Sequence, residues 1–94
     1  MGAIAERVYT DQADIQRLKA TVETMPDEAI VEILLVDGNR IVGTVVSRPS
    51  LQTFLDPKGQ EGINGHVRID VRDTGQSMYV WLDRIAQVVT LGSA

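Results

Sequence analysis

Apolar positions along the chain change period once, and the change separates a helix from a set of strands. In TDQADIQRLKATVETMP, Ile15, Leu18, Val22 and Met25 recur at spacings of three, four and three. Those spacings draw one stripe along an α-helix. Thr10 or Asp11 can cap its start through a side-chain oxygen, and Asp14 places negative charge in the first turn. Pro26 stops it, because the residue before a proline avoids the α region. The pattern predicts a helix over about 11–24. Residues 1–10 have no periodicity and read as a loose arm.

From residue 29 the period shortens. AIVEILLV is a nearly continuous, β-branched apolar run, which predicts a strand over 29–36. Asp37-Gly38-Asn39 tolerates positive φ and predicts a hairpin turn. RIVGTVVS returns as a strand over 41–48, where Gly43 marks a bulge or sharp bend. Pro49 ends the pairing. SLQTFLDPKGQEGIN, residues 50–64, carries Pro57, Gly59 and Gly62 and reads as one long loop. HVRIDVR alternates, with Val67, Ile69 and Val71 on one side and His66, Arg68, Asp70 and Arg72 on the other. It predicts a strand over 66–72, and strands follow over 77–82 and 85–91. In the first of these, Met78, Val80 and Leu82 form the expected core face, with Tyr79 and Trp81 outward. One helix before five short strands predicts a single, mainly β domain over 1–94. The expected architecture is a strongly bent five-stranded antiparallel sheet closing into a small barrel, with the helix over one end.

Composition narrows the function classes. A chain of 94 residues supports one domain. It holds no apolar run of about 18 residues, so no membrane-spanning helix is expected. The N-terminus lacks the basic region and apolar stretch of a secretory signal. Glu6 stands where a myristoylation signal has Ser or Thr. Cysteine is absent, which removes disulfides, thiolate catalysis and cysteine zinc sites. A cytoplasmic protein is the simplest reading. The net charge of −4 argues against nucleic acid, whose binding rests on cationic neutralisation of phosphates. Residues 1–37 carry eight acids against three bases, and residues 38–94 five acids against six bases. A locally basic surface in the second part stays open.

The candidate chemistry is thin. Gly59, Gly62 and Gly65 precede a strand, with no following Lys-Ser/Thr, so they do not make a phosphate-binding loop. His66 is the lone histidine. No nucleophile, orienting acid or metal-ligand set accompanies it at a readable spacing. Asp70 and Asp73 read as surface carboxylates. Neither an enzyme nor a cofactor or metal protein is expected. Arg68 and Arg72 could form a weakly basic patch around Asp70. Tyr79 and Trp81 could pack inside the protein, meet a partner or stack on a base.

Two stretches carry a family resemblance. VDGNRIVGTVVSRP has Gly38 at a turn, Ile41 in the strand, Gly43 at its bend and Val45 after it. MYVWLDRIAQVV joins two strands through a very short turn, with Ile85 and Val88 at apolar positions of the last strand. Together, over roughly residues 10–91, they resemble the two motifs of the Sm-like (LSm) barrel, the fold of Sm proteins and bacterial Hfq. In length and order the chain also resembles an uncharacterised family of small bacterial proteins with a variant Sm-like fold. The resemblance implies two RNA-gripping loops facing a ring pore. The first offers Asp, with Asn four residues later in Sm proteins; here those positions are Pro49 and Thr53. Proline has neither a side-chain acceptor nor an N–H donor. The second reads Arg-Gly in Sm proteins or Tyr-Lys-His-Ala in Hfq; here it reads Trp81-Leu82-Asp83-Arg84. A carboxylate there repels phosphate, and only Trp81 keeps an aromatic surface. The resemblance therefore implies the fold without its uridine pocket.

Sm rings form when the fourth strand of one subunit pairs with the fifth of the next, and MYVWL and IAQVVTL are apolar enough to associate. The expectation is a non-catalytic homo-oligomer acting through protein association, with a dimer favoured over a hexameric or heptameric ring. The alternative is RNA binding through a displaced site. Its candidates are Arg48, Phe54, Lys58 and Arg84 near the loops, or Arg68 and Arg72 with Trp81.

Overall fold

The computed structural model describes residues 4–93. One helix, α1 (Gln12–Glu23), precedes seven strands: β1 (Ala29–Leu35), β2 (Arg40–Val45), β3 (Gln52–Leu55), β4 (Glu61–Asn64), β5 (His66–Val71), β6 (Ser77–Trp81) and β7 (Ile85–Ser93). A 3-10 turn, Leu82–Arg84, joins β6 to β7. Asp11 caps α1 by accepting from the Ala13 backbone N–H at 3.0 Å. Leu18, Val22 and Met25 of the apolar stripe are buried. Each such burial contributes roughly 1.5–3 kcal/mol.

Five strands form one antiparallel sheet in the order β6-β5-β2-β1-β7. Alternation along the strands sends Ala29, Val31, Ile33, Ile41, Val45, Val67, Ile69 and Val80 to one face. There they join Leu18 and Val22 of α1, Met25 just beyond it, and Leu82 in a single core. Gly43 is needed where β2 meets β5: a Cβ on it would lie 2.3 Å from the Asp70 carbonyl oxygen.

The expected closure into a barrel does not occur. The outer strands β6 and β7 pair with β5 and β1, not with each other. The Arg84 carbonyl accepts from the Val36 N–H at 2.8 Å, which ties the 3-10 turn to the β1–β2 hairpin. The chain thus crosses from one edge of the sheet to the other within three residues. Met78, expected in the core, is instead exposed on the outer strand β6.

Residues 50–64 are not a loop. They hold the β3–β4 hairpin, with Gln52 opposite Asn64 and Leu55 opposite Glu61. Pro57 and Gly59, read as strand breakers, sit in its turn. Asp56 Oδ1 accepts there from the Lys58 and Gln60 N–H groups at 2.9 and 2.8 Å. Gly62 lies within β4 because the N-terminal segment passes over it: a Cβ there would meet Val8 at 2.9 Å. That segment is not a loose arm over its described residues. Ile4 bridges to Leu55 and Tyr9 to Ile63, and Ala5 is buried. Residues 1–3 of the expected arm lie outside the described residues.

Candidate association and RNA-binding surfaces

The outer face of β5 and β6 carries an aromatic row. His66 stands opposite Trp81, and Arg68 opposite Tyr79. The His66 ring meets Trp81 edge-on at 5.2 Å and Tyr79 at 4.8 Å. Phe54, from the β3–β4 hairpin, packs edge-on against Trp81 at 5.1 Å. Phe54 is buried and Trp81 half-buried, whereas Tyr79 is 62% exposed. The hairpin therefore lies over the aromatic surface that Trp81 would offer. Phe54 has no free face for a base to stack on. Tyr79 is the aromatic that remains open, on the face its alternation with Val80 assigns it.

Among the remaining RNA candidates, Arg48 is paired with Glu23 at 2.8 Å, and its backbone N–H donates to Asp27. Lys58 lies in the β3–β4 turn and Arg72 just beyond β5. Arg68 donates to Ser77 Oγ at 3.2 Å, and that hydroxyl donates to Asp70. Lys58, Arg68, Arg72 and Arg84 form no ion pair among the described residues. Trp81 and Arg84 line a recess of only about 30 Å³ with Glu6, Arg7, Asn64 and Asp83. The seven candidates thus divide. Phe54 and Trp81 meet, Arg68 flanks Tyr79, and Lys58 and Arg72 occupy separate turns.

Of the two gripping positions lost to proline and aspartate, Pro49 is buried and Asp83 is engaged within the chain. The Tyr9 hydroxyl donates to Asp83 Oδ2 at 3.0 Å. Burial, followed by that hydrogen bond and the Asp83 charge, pushes the Tyr9 hydroxyl above its ordinary pKa, with Arg7 opposing. This pair forms one wall of a cleft of about 250 Å³ between α1 and the 3-10 turn, lined also by Asp14, Arg17, Leu18 and Ile85. A second cleft, of about 190 Å³, continues along β7 and is lined by Ala20, Thr21, Thr24 and all four residues Ile85–Val88. No three His, Asp or Glu side chains converge among the described residues.

Both outer strands leave one edge unpaired. β6 and β7 contain neither proline nor charge, and Met78, Tyr79, Val89 and Leu91 on them are exposed. Val89 and Leu91 were readable as apolar. Their exposure follows from β7 being an outer strand, which only the sheet order shows.

An open, bent antiparallel sheet led by one helix is a variant Sm-like fold. The structure of XC5848 from Xanthomonas campestris, described as adopting a novel variant of the Sm-like motif, superposes with a TM-score of 0.89. It is 41% identical in sequence, and the match covers 95% of this chain and 97% of that one. Residues 2–91 match the model of a domain of unknown function, DUF3247, and the chain belongs to that family. No curated protein matches. Among the described residues no helix is long and apolar enough to cross a membrane.

Proposed function

We propose that this protein is a non-catalytic, cytoplasmic Sm-like module that works by protein association, as a homodimer or small oligomer. The observation that carries the reading is the unpaired edge of β7, nine residues without charge or proline. Edges of this kind recruit further strands unless they are shortened, charged or covered. No cofactor or metal takes part. The test is absolute mass in solution, by light scattering on a size-exclusion column. Twice or a small multiple of 10.3 kDa is the expected result. A single 10.3 kDa species up to about 1 mM, where even a weak complex of roughly −4 kcal/mol half forms, would overturn it.

Arg68 beside the open ring of Tyr79 favours RNA as a second reading, through a site displaced from the family's pore. Arg72, Lys58 and Arg84 would supply further phosphate contacts. Its signature is an affinity for single-stranded RNA that falls steeply with salt, by a log–log slope of about −0.7 per phosphate neutralised. Arg68→Ala with Arg72→Ala would then flatten that slope by about one to two units. An unchanged slope removes these arginines from the site.

A further inference from the structure

We infer that two copies of this chain join edge to edge through β7, as an antiparallel two-fold pair centred on Val89. The inference rests on the association reading and names its partner and register. Residues 85–94 are the longest uncharged stretch of the sequence, in a chain whose net charge of −4 makes copies repel. A two-fold contact places a surface against itself, so a charge near the axis would meet its own kind. β7 has none to meet.

The register follows from length and from the cleft beside the strand. β7 runs from Ile85 to Ser93, so full overlap with its own copy puts the axis at Val89. Residues 90–93 of one copy then lie along Ile85–Val88 of the other. That half of β7 is where the cleft walled by Ala20, Thr21 and Thr24 runs. Four consecutive strand residues line it, across the register shift that β7 makes against β1 at Ala86, so the cleft runs along this end of β7. The segment entering it, Thr90-Leu91-Gly92-Ser93, is mostly small, as the wall of alanine and threonines is. Val89, 43% exposed and opposite Glu32 on the outer face, meets its counterpart across the axis. Leu91, 52% exposed, comes opposite the partner's Gln87.

The alternative pairing joins β6 of one copy to β7 of the next, head to tail, and closes only as a ring. β6 is five residues long against nine, so it would leave about four residues of β7 unmatched.

The test uses light scattering and sedimentation equilibrium on the full chain. The wild type is expected at twice 10.3 kDa. Val89→Lys and Val89→Glu each put like charges face to face at the axis. Each is expected to weaken association about 100-fold or more, with an unchanged far-ultraviolet circular dichroism spectrum. Mixing the two variants is expected to restore the dimer, because residue 89 faces itself only in this register. Tyr79→Lys on β6 leaves the mass unchanged. A dimer insensitive to Val89→Lys, or a mixture that stays monomeric, overturns the two-fold inference while the association reading stands. So does a ring-sized mass lost on Tyr79→Lys. A wild type monomeric throughout overturns both.

Discussion

A methyl group added at Gly43 would bring a Cβ within 2.3 Å of the Asp70 carbonyl oxygen and 2.7 Å of Ile69 Cγ2. The first contact is with backbone, so β5 would have to move away from β2. Gly38 is a different case. Its φ is +92°, and nothing lies within 4 Å of where its Cβ would stand. Gly38→Ala carries only the strain of a left-handed L-residue, about 1 kcal/mol. Gly43→Ala forces apart two packed strands and is expected to cost about 2–3 kcal/mol. Urea denaturation of the two variants separates these effects, and equal losses would show that strand approach is not what Gly43 serves. Both glycines were legible in the sequence, Gly38 from the turn triplet Asp37-Gly38-Asn39 and Gly43 because a glycine inside a β-branched run needs a reason. The neighbour that supplies the reason was not legible, since Asp70 lies in a strand 27 positions away in the sequence.

At the scale of elements, the β3–β4 hairpin is where sequence and structure part. Its strands have four residues each, too few for alternation to register. Gly62 counts as a breaker by itself and as a necessity once Val8 crosses above it. A four-residue strand crossed by the distant N-terminal segment has little local signature, whereas the helix stripe from Ile15 to Met25 lies within eleven consecutive residues. The hairpin matters because it determines what Trp81 can do. Phe54 is the side chain that pins it to the aromatic row. Phe54→Ala is expected to cost about 3–5 kcal/mol, the usual range for a buried phenylalanine. Trp81 is the single tryptophan, so its emission reports the same contact. A red shift in the folded variant is expected as water reaches the indole. Unchanged emission would mean that the hairpin does not shield the ring.

For the whole molecule, what the sequence leaves open is pairing between distant strands. The helix, the two-sided pattern of β5 and the brevity of the β6–β7 turn could all be read locally. Closure could not, because it depends on pairings such as that of β7 with β1, from distant parts of the chain. The candidate RNA site divides for the same reason: one charge pattern serves a free arginine and one held by Glu23. The open sheet carries a thermodynamic consequence. If β7 pairs with its copy, folding and association are linked, and stability rises with protein concentration by mass action. Above the dissociation constant, each tenfold increase adds about 1.4 kcal/mol per dimer, or roughly 0.7 per protomer. For a domain of this size that is a rise of about 3–5 °C in Tm. Scanning calorimetry of the wild type across two decades of concentration is expected to show that climb, and Val89→Lys to lose it. The climb should survive added salt, because the β7 edge carries no charge to screen and the net −4 of each copy opposes association. A wild-type Tm independent of concentration over that range would mean that the β7 edge stays bare at those concentrations. A climb abolished by salt would place the contact on the charged faces of the molecule instead.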